Sequence, residues 1–304
     1  MTISVILPTL NAARYLPKLV GALQSQTQAP LEIIVIDSSS TDETTRAAQE
    51  AGCVIEVIPR AEFDHGGTRN RAARLARGEL LCFMTQDALP ANESFLEELS
   101  RPIRDGAAVA AYARQCPHEN AFPSEVFARA FNYPPESSLR SNEDISRLGL
   151  RAFFFSNVAS MVQKDAFDAV GRFPESTVMN EDMVLCARLL RAGHRVAYRA
   201  EAVVFHSHNY AVSQQFRRNF DIGAFVAHSG KELGNTRTGE AGMRFALEQL
   251  RFLVSSGAAG WVPRTVIELG AKFVAYQLGQ REHFIPLAWK RRMSLHPHFW
   301  RERS

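Results

Sequence analysis

The sequence predicts an α/β fold, a mostly parallel sheet flanked by helices, with a C-terminal extension made of further helices. In the first third, unbroken apolar, strand-like runs alternate with patterns of helical period. Strands read as continuous apolar runs when both faces of a parallel sheet are covered by helices. Beyond Tyr210 the character changes to amphipathic helices with aromatic and basic residues interleaved, such as Phe216, Arg217, Arg218 and Phe220, and later Trp289, Lys290, Arg291 and Arg292. The expected division is a sheet domain over residues 1–210 and a helical extension over residues 211–304. A chain of 304 residues suits one large domain with an appendage.

Residues 3–8 form the first β-rich run. Over residues 15–23, Leu16, Leu19, Val20 and Leu23 fall on one helical face. EIIVID, residues 32–37, is a second buried strand. Ser40 and Glu43 then have the spacing of a capping box at the start of a helix that Gly52 stops. Residues 54–59 read as a third strand, 67–77 as a helix and 79–84 as a fourth strand. Residues 113–151 are less regular and rich in Pro, Asn and Ser, as a connecting or substrate-covering region would be. Regularity returns with FFFSNVASMV, a helix near residues 164–170, another over 181–192, and the strands HRVAY and AVVFH.

With 46% hydrophobic and 22% charged residues, the composition is that of a soluble globular protein. A net charge of +3 gives no support for wholesale nucleic-acid binding. The four cysteines contain no CxxC pair and read as free thiols in a reducing compartment, not as zinc ligands or disulfides. The chain starts directly on a strand-like run without the features of a signal peptide. No uncharged apolar run reaches the roughly 18 to 20 residues of a spanning helix. The expected location is the cytoplasm, with a peripheral membrane role left open.

Parallel sheets bind ligands at the carboxyl ends of their strands, where the strand order reverses. Three polar clusters sit there: Thr9 to Asn11, Asp37 to Ser40, and Gln86 with Asp87. Asp37 can accept a hydrogen bond from a base edge or ribose hydroxyl, or serve as a turn residue; Asn11 could equally be a helix N-cap. FDHGGTRN, residues 63–70, joins two glycines, a helix start and the cation Arg69, a combination suited to an anion or to structure alone. It matches neither GxGxxG nor GxxxxGK, so neither a dinucleotide-binding dehydrogenase nor a P-loop enzyme is indicated. Asp87 is a hard ligand for Mg²⁺ or Mn²⁺ bridging phosphates, and His206 and His208 in VVFHSHNY could add nitrogen ligation or simply be hydrogen-bonded. In NEDMVLCARLLRAGHRVAY, Met183, Cys186, Leu189 and Leu190 mark an apolar face, which places Glu181 and Asp182 in the first turn. There they either complement the helix dipole or supply a general base.

In their order along the chain, SVILPTLN, EIIVIDSSSTD, FDHGGTRN, FMTQDALP, NEDMVLCARLLRAGHRVAY and AVVFHSHNY together resemble the family 2 inverting glycosyltransferases of the GT-A fold. Within that family the chain is most similar to bacterial rhamnosyltransferases that use dTDP-L-rhamnose. TQDALP, HSHNY and the tail AKFVAYQLGQREHFIPLAWKRRMSLHPHFW carry that closer likeness. The resemblance implies nucleotide-sugar contacts from Thr9, Asn11, Asp37, Arg69 and Gln86, and a sugar pocket shaped by Ser156 and Asn157. It implies Asp182 as the catalytic base with Glu181 beside it. Asp87 matches the second acid of an Asp-x-Asp motif that holds a divalent metal, Mg or Mn, on the diphosphate.

Two positions depart from the family pattern. Thr85 replaces the first acid of the metal motif, and Ser38 replaces the second Asp of the usual Asp-Asp-Gly-Ser segment. These changes bring in His206 as a further ligand, with His208 as second choice. The resemblance further implies direct displacement with inversion, a nucleotide-sugar donor, and a lipid-linked glycan acceptor of O-antigen type on the cytoplasmic face of the inner membrane. The C-terminal helices would then pack on the catalytic domain, form a homodimer interface or lie on an anionic membrane. Three alternatives compete. One is a family 2 transferase that takes a UDP-sugar. A second is a non-catalytic nucleotide-sugar-binding partner, which Thr85 favours and Asp87, Glu181 and Asp182 oppose. The third is a nucleotidyltransferase, which would need a glycine- and lysine-bearing loop that PTLNAARYL lacks.

Overall fold

The computed structural model describes residues 1–234 and 239–300. Positions 235–238 and 301–304 of the expected helical extension lie outside the described residues. β1 (Ile3–Thr9), β2 (Glu32–Asp37), β3 (Val54–Val57) and β4 (Leu80–Met84) alternate with α1 (Leu16–Gln24), α2 (Thr44–Glu50) and α3 (His65–Leu75). Then come β5 (Leu89–Pro90), α4 (Phe95–Arg104), β6 (Ala110–Cys116), α5 (Pro123–Asn132), β7 (Ser138–Arg140) and α6 (Asp144–Leu148). β8 (Ala159–Gln163), α7 (Lys164–Ala169), α8 (Glu181–Arg191) and β9 (Val196–Phe205) follow. The chain closes with α9 (Val212–His228), α10 (Gly230–Leu233), α11 (Gly239–Ser255), α12 (Val262–Gln280) and α13 (Leu287–Met293).

The sheet runs β3-β2-β1-β4-β8-β6-β9-β5, with β7 paired to β9. β1 to β4 are mutually parallel, as their unbroken apolar runs predict. β8 enters antiparallel between β4 and β6, while β6 and β9 pair parallel. The order reverses at β1, which has β2 on one side and β4 on the other, so the ends of β1, β2 and β4 are brought together.

Several local expectations are corrected. α2 starts at Thr44, and Ser40 with Glu43 forms no capping box. The Ser40 hydroxyl is instead committed to Asp37 at 2.5 Å. Asn11 does not cap α1; its Oδ1 accepts from the Thr41 N–H at 2.9 Å. α3 begins two residues before the expected start because Asp64 caps it, accepting from the Gly67 N–H at 2.6 Å. HRVAY and AVVFH belong to one strand, β9, whose pairing with β6 shifts register between Ala113 and Arg114. The stretch 113–151 holds the end of β6 together with α5, β7 and α6.

The chain forms two compact units. One comprises residues 1–116, 133–175 and 181–206; the other comprises 117–132, 176–180 and 207–304. Val5, Leu7, Val35, Cys82, Met84 and Phe95 belong to the core of the first. In the second, α9 and α12 meet at two glycines. A Cβ on Gly223 would lie 2.2 Å from the Tyr276 carbonyl oxygen, and one on Gly279 2.1 Å from that of Phe220, so the backbones themselves touch. Phe220, Ala224, Ala275 and Trp300 fill the core beside this crossing. All four cysteines are free. Among the described residues no helix is long and apolar enough to cross a membrane.

Candidate functional site

The ends of β1 and β2 are joined by Asp37, whose side chain is buried. Its Oδ1 accepts from Thr9 Oγ1 at 2.9 Å and from Ser40 Oγ at 2.5 Å, and its Oδ2 accepts from the Ser40 N–H at 2.8 Å. These three bonds fix the carboxylate at the junction of the two strand ends. Asn11, left-handed at φ 49°, receives support from the same turn, its N–H donating to Ser40 Oγ at 2.8 Å. Gln86 reads the backbone of Leu10 with both ends of its amide: Oε1 accepts from the Leu10 N–H at 2.8 Å and Nε2 donates to the Leu10 carbonyl at 3.2 Å. That pair ties the end of β1 to the end of β4. The hydroxyls of Ser38 and Thr85, at the two positions that depart from the family pattern, are buried without a hydrogen-bond partner. Buried polar atoms without a protein partner are places for a water or a ligand group.

Asp87 lies just past β4 with its side chain about one-fifth exposed, and its Oδ1 is 3.6 Å from His206 Nε2. The His206 ring is held from behind. Gln115 Nε2 donates to Tyr133 Oη at 2.6 Å and to Ser156 Oγ at 2.9 Å, which turns Gln115 Oε1 toward His206 Nδ1 at 3.1 Å. An amide oxygen only accepts, so Nδ1 carries a proton, and Nε2 is the ring nitrogen turned to the Asp87 side. This is how a protein prepares a metal-binding imidazole, and carboxylate oxygen with imidazole nitrogen fits a divalent cation such as Mn²⁺. His208 stands two residues beyond His206, within the roughly 7 Å that two residues of chain can span.

α8 begins with Glu181 and Asp182, after Asn180 has turned the chain at φ 57°. Glu181 is only 4% exposed, a surprise for an acid in a first turn. Its Oε1 lies 3.2 Å from Arg69 Nη1 and accepts from Asn157 Nδ2 at 2.9 Å. Arg69 also donates to the His65 carbonyl at 2.8 Å, while its buried Nε has no partner. Burial alone would raise the Glu181 pKa, but Arg69, His65 and the Asn157 amide outweigh it and hold Glu181 ionised. Asp182 accepts from the Asn157 N–H and the Met183 N–H, both at 2.9 Å. Its burial, and next the negative charge of Glu181, push its pKa up to about 7. A carboxylate with affinity for a proton near neutrality is what general-base work requires.

Of the residues singled out in the sequence, Thr9 and Asp37 are in direct contact, as are Arg69 with Glu181 and Asn157 with both acids. Arg69, expected near the donor, has Glu181 as its ion-pair partner. Glu181, expected beside the base, is bound into the protein and acts on Asp182 through its charge. Ser156 accepts from Gln115 and so braces the His206 support. Sequence reading missed Gln115 and Tyr133. Gln115 left one signal, a polar residue inside the strand AAYARQC, but it fell in the stretch taken for an irregular connection.

The sequence profile of Glycosyl transferase family 2 matches residues 4–171. The chain is 40% identical to the O-antigen chain rhamnosyltransferase WbaN of Salmonella anatum, over 98% of this chain and 95% of that one. It is 38% identical to the O-antigen chain rhamnosyltransferase RfbN of Salmonella typhimurium, over 99% and 96% respectively. Staphylococcus aureus TarS 1-349, solved in complex with UDP-GlcNAc, has a similar fold with a TM-score of 0.56 at 17% identity, covering 97% of this chain and 84% of that one. The mannosyltransferase PcManGT from Pyrobaculum calidifontis, solved with GDP-Man and Mn²⁺, gives a TM-score of 0.57 at 17% identity, covering 96% and 83%. These structures share the GT-A architecture expected from the sequence.

Proposed function

The chain belongs to glycosyl transferase family 2, and from that premise we propose that it transfers L-rhamnose from dTDP-L-rhamnose to a hydroxyl of a glycan acceptor in bacterial cell-surface polysaccharide synthesis. The full-length identity to two O-antigen chain rhamnosyltransferases supports the choice of sugar and pathway class. The observation that carries the chemistry is Asp182, its pKa raised to about 7 and its carboxylate oriented by two backbone N–H groups at the start of α8.

In the proposed reaction the ionised Asp182 takes the proton of an acceptor hydroxyl as that oxygen attacks the anomeric carbon. The anomeric C–O bond to the diphosphate breaks on the opposite face, and its electron pair leaves with the nucleotide diphosphate. One displacement inverts the centre, so a β-linked donor gives an α-L-rhamnoside. The charge of Glu181 raises the basicity of Asp182, and Arg69 keeps Glu181 ionised.

Thr9, Asn11 and Asp37 are assigned to the nucleotide. Gln86 keeps that corner aligned with Asp87, and Ser156 and Asn157 back the sugar pocket. Asp87 and His206, with His208 next, would hold a divalent cation, which when bound neutralises charge on the departing diphosphate. The acceptor is assigned as lipid-linked, on the cytoplasmic face of the membrane.

The test is calorimetric titration with dTDP-L-rhamnose, UDP-glucose and UDP-N-acetylglucosamine, each with Mg²⁺ and with EDTA, paired with an assay for product. Selective, cation-enhanced binding of the rhamnose donor is expected. Preference for a UDP-sugar would keep the transferase and discard the rhamnose assignment, whereas donor binding without product would point to a non-catalytic nucleotide-sugar-binding partner.

A further inference from the structure

α12 carries its polarity the wrong way round for a water-facing helix. Its ionic residues Arg264, Glu268 and Lys272 are partly or wholly buried, and Glu268 pairs with Arg264 at 2.8 Å. Its solvent face is apolar: Val266, Ile267, Phe273, Val274 and Leu278 are exposed, Ile267 by 62% and Phe273 by 66%. At 100° per residue these side chains fall on one stripe, and the other exposed positions of the helix are Pro263 and Gly270. No charge interrupts it. Past the helix, Phe284 is 77% exposed and Trp289 55%. An unbroken apolar stripe along an exposed helix, as on α12, marks an interaction site.

The ionic groups around the stripe select the occupant. Between Val262 and Trp300 the two carboxylates, Glu268 and Glu282, are buried, and Glu282 is taken up by His228 and Lys290. The exposed ionic groups of that segment are the cations Arg281, Arg291 and Arg292. A twofold dimer sets a patch against its own copy, which would bring cations onto cations with no exposed acid from the segment to answer them. A bilayer with anionic headgroups offers apolar depth for the stripe and negative charge for the arginines, and the headgroup level suits an amphipathic ring such as Trp289.

We propose that the apolar face of α12, together with Phe284, Trp289 and the arginines that follow, docks on the surface of an anionic membrane. This goes beyond the transfer reaction and stands or falls separately from it.

The test is flotation of the full chain with vesicles of phosphatidylcholine alone and of phosphatidylcholine mixed with phosphatidylglycerol, at low and high salt. Two variants accompany it, Ile267→Asp/Phe273→Asp and Arg281→Gln/Arg292→Gln, with circular dichroism and size-exclusion profiles taken on each. Salt-sensitive flotation with the anionic vesicles only is expected, weakened by about tenfold in either variant, with donor binding unchanged. Should the apolar variant misfold, the arginine pair at exposed positions still decides the matter. Absence of flotation, or equal flotation of a folded variant, would overturn the proposal. A wild-type dimer that the apolar variant converts to monomer, without vesicle binding, would assign the face to a second copy of the chain.

Discussion

Each of the two units buries an aspartate whose pKa is raised: Asp182 in the sheet unit, to about 7, and Asp221 in the helical unit, to about 6. Burial is the largest cause in both. The surroundings then diverge. Asp221 has no exposed surface; Oδ2 accepts from the Leu295 N–H at 2.8 Å, and Oδ1 has no partner. Asp182 keeps part of its surface open, both oxygens are oriented by backbone N–H groups, and an ionised acid stands next to it. A displaced pKa therefore reports burial, whereas access together with a charged neighbour distinguishes a group that can exchange a proton with a substrate.

The sharpest way to break this comparison is to neutralise each aspartate in turn. Asp182→Asn is expected to lower kcat by about 10³ with donor affinity intact in calorimetry, the scale of a lost general base. Asp221→Asn should leave kcat alone, and a reversed pattern would refute the distinction. A smaller effect is expected behind His206, since Gln115→Leu removes the acceptor that fixes the imidazole. Cation affinity, read by titration of Mn²⁺, should fall by about 10- to 100-fold, and an unchanged affinity would remove His206 as a ligand.

Stability provides the next contrast. The folded state holds the Asp221 proton more tightly than the unfolded chain, so this group's contribution is fully present below pH 3.8 and is lost as pH rises to about 6. Asp221→Asn should therefore stabilise the protein at pH 8 by on the order of 2 kcal/mol, with the gain fading toward pH 4 in denaturant titrations. The smallest effect concerns the pH profile. Because Asp182 works only when ionised, kcat/KM should fall as pH drops through about 7. Glu181→Gln removes the like charge and should move that limb to lower pH. An unmoved limb would sever Glu181 from Asp182.

The sheet was legible where physics imposes a local pattern. β1, β2 and β4 are buried on both faces and read as unbroken apolar runs, and Leu16, Leu19, Val20 and Leu23 show a helix period. β6 was hidden because it is built from small and polar residues. β9 looked like two strands because Arg199 to Glu201 interrupt its apolar run where the register with β6 slips. For the site, the polar residues at strand ends stood out because a parallel sheet gathers them. Their pairings did not. Glu181 meets Arg69, and Gln115 meets His206, across long stretches of chain, and no local periodicity encodes contacts set by the order of strands.

The crossing of α9 and α12 has a consequence for the history of the sequence. Most tight contacts between helices are negotiable, since a larger residue on one side can be answered by a smaller one opposite. At Gly223 and Gly279 the obstacle to any side chain is the carbonyl oxygen of the facing helix, which every amino acid carries. No second substitution can make room. A saturation library should therefore return two nearly empty columns at these positions, and suppressor screens should recover reversions in place of compensating partners.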